Sequence, residues 1–117
     1  MSKTFYAIVL VGIKSKREVT ISLIESEEIA IHIAKSIQEL QKEKTMAIAI
    51  GDISNGLHQL EFVGGDSGNS VVFAIVKDPK AGDFISNAVQ SLQVEGGFTI
   101  SILELEKKEN NNEPETN

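Results

Sequence analysis

The stretch Ser26–Lys44, with the sequence SEEIAIHIAKSIQELQKEK, decides the fold of this chain because it predicts one long amphipathic helix. Its apolar residues recur at the spacing of one helix face. Ser26 is suited to be the N-cap, because its hydroxyl can accept a hydrogen bond from an unpaired amide of the first turn. Ile31 points away from the apolar stripe, so the helix either meets a second surface there or exposes one isoleucine. The predicted stripe consists of Ala30, Ile33, Ala34, Ile37 and Leu40.

Six segments outside this helix have the composition or the alternation of β-strands. The segments 4–11 and 71–76 are almost continuously apolar, which is typical of strands covered on both faces. The segment 19–24 alternates apolar and polar residues after a short polar loop, so it predicts a hairpin with 4–11. Leu103 and Leu105 shift the alternation near the end of the last strand and indicate either a bulge or a changed environment there. The remaining predicted strands are 45–50, 57–63 and 98–102.

A second helix is predicted between the last two strands. Asp78 and Pro79 are suited to the N-cap and the first helical position, and Gly96–Gly97 ends the helix. The apolar stripe of this helix is predicted to consist of Ala81, Phe84, Ile85, Ala88 and Leu92.

The predicted element order is ββαβββαβ, and no internal repeat of fixed period is evident in the sequence. We predict a single α+β domain over residues 1–105, in which two helices pack on one strongly curved mixed sheet. Two helices are too few to cover both faces of six strands, so the sheet must curl, expose a face or use a partner. The acidic, asparagine-rich segment 106–117 has nothing to bury and is predicted to be a disordered tail.

The composition excludes several classes of protein. The chain has no cysteine, so it has neither disulfides nor thiolate metal sites. Its start lacks the pattern of a signal peptide, and the apolar run 5–11 is too short to span a bilayer, so we expect a cytoplasmic protein without membrane contact. The formal net charge of -6 does not favour bulk attraction to phosphates and leaves only a local basic patch for such contacts.

The candidate catalytic and metal-binding residues do not form a complete set. The segment 65–68, Gly-Asp-Ser-Gly, has the sequence of the nucleophile motif of trypsin-like proteases but lacks the histidine context that the serine requires. Glu28 and His32 share a helix face, yet two ligands without a third make a weak metal site. His58 and Glu61 point to opposite faces of a strand. We therefore predict no catalytic residue, no metal site and no cofactor, and a small enzyme with a site built from loops is the least favoured alternative.

Lys14, Lys16 and Arg17 form the one concentrated basic cluster and lie in the predicted hairpin loop. A solvated turn explains this cluster without any function. The alternative is a small phosphate-contacting edge of an RNA or DNA site, which needs only a local patch. Self-association through Ile31 or through an uncovered sheet face is a second predicted kind of partner contact.

The length, the absence of cysteine, the segment FYAIVLVG at 5–12 and the Asn/Glu-rich end resemble those of the PrgU-type family, small regulatory proteins of Gram-positive conjugative plasmids. The resemblance implies a PUA-like pseudobarrel and a role in limiting production of a surface adhesin, through RNA. It implies no binding residue, because no position matches a defined family motif. The leading hypothesis is therefore a non-enzymatic regulatory or binding module, and the main alternative is a homo-oligomeric protein-interaction module.

Overall fold

The computed structural model describes residues 2–108, and its elements follow the predicted order ββαβββαβ. This confirms a single compact α+β domain with two helices. The last turn before the fourth strand is a short 3₁₀ segment, Ser54–Gly56. The strands and helices are β1 (Ser2–Gly12), β2 (Glu18–Ile24), α1 (Glu27–Gln41), β3 (Met46–Ile53), β4 (Leu57–Gly64), β5 (Ser70–Val76), α2 (Pro79–Val94) and β6 (Phe98–Lys108).

The strands form two antiparallel sheets of three strands each, so the prediction of one mixed sheet is wrong. The first sheet has the order β2-β1-β6 and the second has the order β3-β4-β5. Each sheet contains one hairpin, β1–β2 or β4–β5. The first strand of each hairpin is central and pairs on its other side with a strand from the other half of the chain, β6 or β3. The sheets meet where β2 lies beside β5, and the Ser22 hydroxyl donates a hydrogen bond to the carbonyl of Phe73.

Both helices pack against strands of both sheets, and the core lies between these layers. Phe62 is fully buried at its centre, with its ring centroid 4.8 Å from that of Phe73 and 6.0 Å from that of Phe98. Most of the predicted stripe of α1 is confirmed, although Ile33 is only partly buried and Ile31 is 38% exposed. The buried residues of α1 are Ala30, Ala34, Ile37 and Leu40.

The predicted N-caps of both helices are confirmed. The Ser26 hydroxyl accepts a hydrogen bond from the amide of Ile29 at 3.3 Å, and the Asp78 carboxylate accepts one from the amide of Lys80 at 2.9 Å. The predicted stripe of α2 is partly wrong, because Phe84 is 74% exposed. The buried residues of α2 are Gly82, Ser86, Val89 and Leu92.

The chain consists of two ββαβ units, 5–53 and 57–105, whose elements match at a constant spacing of 52 residues, for example Ser26 with Asp78. The two N-caps, the β-bulges of β1 and β4, and the loops between the hairpin strands all fall at matching positions. The structure therefore contains an internal repeat that was not evident in the sequence.

Each unit places its last strand on the sheet of the other unit, since β3 pairs with β4 and β6 pairs with β1. Contacts between the units come in matching pairs, as they do across a two-fold axis. The side-chain amide of Gln41 donates to the carbonyl of Phe98 at 2.8 Å. At the matching positions, the amide of Gln93 donates to the carbonyl of Met46 at 2.9 Å.

β6 continues to Lys108, which is inside the segment predicted to be a tail, and residues 109–117 lie outside the described residues. β1 and β6 pair in one continuous register from Ser2 opposite Lys108 to Gly12 opposite Phe98. Of the two predicted explanations for the shifted alternation, the bulge is therefore wrong, and the changed environment is confirmed by the exposure of Leu103 and Leu105. Leu103 and its neighbour at 105 point instead to the outer face of the first sheet, away from the helices, because side chains alternate along a strand.

Candidate nucleic-acid interface

The basic loop, residues 13–17, connects β1 to β2 and is held against the C-terminal end of α2. The guanidinium of Arg17 donates a hydrogen bond to Oε2 of Glu95 at 3.0 Å. The Ser15 side chain and the Arg17 guanidinium beside Glu95 both lower the pKa of its carboxyl, and Ser15 has the larger effect. Arg17 is therefore part of a clasp between loop and helix, and it is not a freely solvated cation.

The second loop, residues 65–69, forms the matching clasp on the C-terminal end of α1. The carboxylate of Glu43 accepts hydrogen bonds from the amides of Asp66 and Ser67, both at 3.0 Å. It also accepts one from the Ser67 hydroxyl at 2.6 Å, and this bond is the main cause that lowers the pKa of Glu43. The serine of the Gly-Asp-Ser-Gly segment therefore donates a hydrogen bond to the carboxylate that anchors the loop.

A comparison of the two loops shows which residues the clasp requires. The serine and the glutamate are the same in both units. Lys14 and Lys16, however, match Asp66 and Gly68. The second loop reaches the same conformation without a cation at either position, so neither lysine is needed to fold the basic loop. The structure thus leaves both lysines exposed on a loop that other contacts hold in place.

Lys16 adopts a left-handed backbone conformation with φ of 64°, and the matching Gly68 has φ of 75°. A residue with a Cβ atom loses roughly 1–2 kcal/mol in this conformation, whereas glycine does not. The basic loop therefore carries a lysine where glycine would be more stable. Backbone strain at an exposed charged residue is a reason to look for a function there.

A groove with a volume of about 550 Å³ lies beside the basic loop, between Arg17 and the exposed face of α2. Its side chains are mostly uncharged hydrogen-bonding groups, and Phe84 lies on the same exposed face. Sequence reasoning missed this surface because it placed Phe84 in the core. One signal in the sequence could have indicated this surface: residues 84–94 contain no charged side chain, although a helix on the surface normally carries several. The groove is lined by Arg17, Asn87, Gln90, Ser91, Val94 and Glu95.

The histidines lie away from the serine of the second loop and from any set of metal ligands. Nδ1 of His58 is 2.7 Å from Oδ1 of Asp52, at the other end of β4. Among residues 2–108, no three side chains of the metal-binding types come together as a possible metal site. Over the same range, neither helix has the length and apolar character needed to cross a membrane.

The basic loop and the face of α2 beside it are thus the candidate site. It combines two exposed lysines, a clasped arginine and a groove of uncharged polar side chains. No protein-family model matches this chain, and neither does any curated protein or any solved structure.

Proposed function

We propose that this chain is a non-enzymatic regulatory protein of the cytoplasm that binds RNA through the basic loop. Lys14 and Lys16 contact phosphates, and Arg17 holds the loop in place through Glu95. The resemblance to the PrgU-type family adds a PUA-like fold to this proposal, with a role in limiting the production of a plasmid-encoded surface adhesin.

The observation that carries the proposal is the strained Lys16, at the position where the second loop has Gly68. The second loop shows that neither the charge nor the strain is needed for the clasp. The clasp holds the backbone of the loop in place, so mainly the lysine side chains lose conformational entropy when they bind a phosphate, and the loop is suited to its proposed role. The net charge of -6 limits the attraction to this local patch.

Lys16→Gly is expected to stabilise the protein and to weaken RNA binding at the same time. Removing the left-handed lysine should raise the free energy of unfolding by about 1 kcal/mol, measured by urea denaturation. Binding of a short, fluorescein-labelled RNA of mixed sequence should weaken. The slope of log affinity against log salt should become shallower by about 0.7, because one phosphate contact is lost.

The second loop offers the matched control. Gly68→Ala should destabilise the protein by about 1 kcal/mol, because it introduces a Cβ atom in the same backbone conformation, and it should leave RNA affinity unchanged. RNA binding that does not depend on salt, or that is the same for Lys16→Gly and for the unaltered protein, would contradict the proposal.

Self-association is a second candidate function, and the outer face of the first sheet favours it. On this face, the central strand β1 carries Ala7 and Val9, each only 2% exposed, whereas the matching positions of β4 carry the half-buried Gln59 and Glu61. The Gln59 amide donates to the Glu61 carboxylate at 3.1 Å, as expected of a surface in water. The first sheet has no such polar pair on its central strand. Its flanking strands expose Leu23 by 58%, Leu103 by 47% and Leu105 by 45%.

A second copy of the same face is the proposed occupant. Lys3 lies at one end of the face and Glu18 lies at the other, so two copies with antiparallel strands would bring opposite charges together. Each of these side chains is exposed, and Lys3 lies 3.7 Å from Glu25 within its own chain.

Leu103→Glu is expected to convert a dimer to a monomer in sedimentation velocity, because it places a charge in the middle of the proposed apolar contact. Ile31→Glu on α1 is the matched control, since it adds the same charge at another exposed apolar residue and should leave the mass unchanged. A monomer at all protein concentrations, or a mass that responds to Ile31→Glu alone, would exclude this face.

A further inference from the structure

The exposed face of α2 differs in chemical character from the matching face of α1. The segment 84–94 of α2 contains no charged residue, whereas the matching segment 32–42 of α1 contains a histidine, two lysines and a glutamate. In α1, Nζ of Lys42 lies 2.9 Å from Oε2 of Glu39. Both helices occupy the same position in their units, so the fold does not explain why the exposed face of α1 is charged and that of α2 is not.

The uncharged face exposes two large apolar side chains. Phe84 is 74% exposed and Val94 is 88% exposed, and their matching residues in α1 are polar, His32 and Lys42. Asn87 and Ser91 lie between them at helical spacing, so the four side chains form one stripe that ends beside the basic loop. Exposed apolar side chains aligned with uncharged hydrogen-bonding groups, next to cations, are typical of a surface that contacts nucleobases.

We propose that this stripe is the base-contacting part of the site and that its ligand is single-stranded RNA; the inference rests on the proposed RNA-binding function. The ring of Phe84 stacks on an unpaired base. The side-chain amides of Asn87 and Gln90 and the hydroxyl of Ser91 donate and accept hydrogen bonds at base edges. Duplex RNA is a poor ligand, because its base faces are stacked and its narrow major groove hides the base edges.

The dimensions of the surface suit a short single strand. Phe84 and Val94 are about 15 Å apart along the helix axis, which is the length of roughly four stacked nucleotides. The basic loop then lies at the Val94 end, where Arg17 lines the groove and is clasped to Glu95. The nearby carboxylate of Glu95 is paired with Arg17, which reduces its repulsion of phosphates.

Two alanine substitutions with matched controls test the inference. Phe84→Ala should weaken binding of a fluorescein-labelled single-stranded RNA about tenfold, the usual effect of losing one stacked base, and Phe84→Trp should restore it. Gln90→Ala should also weaken binding of the single strand. The controls are His32→Ala and Gln38→Ala, the same changes at the matching positions of α1, and neither should affect binding. The unaltered protein should bind the single strand more tightly than the same RNA annealed to its complement.

The outcomes separate this inference from the function on which it rests. Salt-dependent binding that is equal for single and double strands, and unaffected by Phe84→Ala, would overturn the base contacts and leave phosphate binding by the basic loop intact. Failure to bind either RNA at low salt would overturn both. Equal losses for Phe84→Ala and His32→Ala would also overturn the assignment to α2.

Discussion

Phe62→Ala is expected to lower the free energy of unfolding by about 3–5 kcal/mol, a large part of the roughly 5–15 kcal/mol that stabilises a typical domain. Phe62 is fully inaccessible and contacts the rings of Phe73 and Phe98, which come from β5 and β6. Its removal leaves a cavity at the point where both sheets meet the helices. Urea denaturation measured by far-ultraviolet circular dichroism gives the difference.

Phe84→Ala is the control for this experiment, because it removes the same atoms from a side chain that is 74% exposed. Its effect on the free energy of unfolding should stay within about 0.5 kcal/mol. Similar losses for the two variants would mean that the aromatic core is placed wrongly.

Ile37→Asp is expected to prevent stable folding, because it places a carboxylate without a partner at a position of α1 that is completely buried. Losses of more than about 4 kcal/mol are expected for an unpaired buried charge. The variant should show no cooperative thermal transition. Ile37 is a better position for this test than Ile33, which is only partly buried.

The control for Ile37→Asp lies on the same helix. Ile31 is 38% exposed, so the introduced carboxylate of Ile31→Asp keeps much of its hydration, and the melting transition should be retained. If the two aspartate variants melted alike, the orientation of α1 on the sheets would be wrong.

The two helices show how far sequence patterns predict a fold. In α1 all four buried residues are apolar, two alanines and two large aliphatic residues, so the 3.6-residue period identifies the correct face. In α2 the positions that match Ala30 and Ala34 hold Gly82 and Ser86, although a Cβ atom at Gly82 would make only an ordinary contact, 3.6 Å from the side chain of Val76. A glycine and a serine thus occupy two of the buried positions of α2, and neither residue marks an apolar face in the sequence. A search for large apolar residues consequently placed Phe84 in the core.

Sequence analysis predicted only the part of the candidate site whose residues are close together in the chain. Lys14 and Lys16 are recognisable as a basic cluster in a loop. The clasp that fixes them joins Arg17 to Glu95, two residues far apart in the chain, and no local pattern indicates that contact. The exchange of last strands between the units was missed for the same reason, because the few identical residues at matching positions do not form a recognisable repeat.

The exchange of last strands bears on the evolutionary origin of the chain. A lone ββαβ unit would leave its last strand without a partner, so an ancestor of that length would have had to form a homodimer. Gene duplication and fusion would join two such subunits through the turn Ser54–Gly56, which connects paired residues Ile53 and Leu57. At the matching place on the first sheet, Leu105 pairs with Phe5, but no turn joins these two residues, because they belong to the first and the last strand.

In such an ancestor, two identical sites would have existed, each made of a loop from one subunit and a helix from the other. The fused chain still contains both. One combines the basic loop with the uncharged face of α2, and the other combines a loop that contains Asp66 with the charged face of α1. Fusion would have freed the two loops and the two helix faces from identical sequence, so that they could diverge while both kept the clasp between loop and helix.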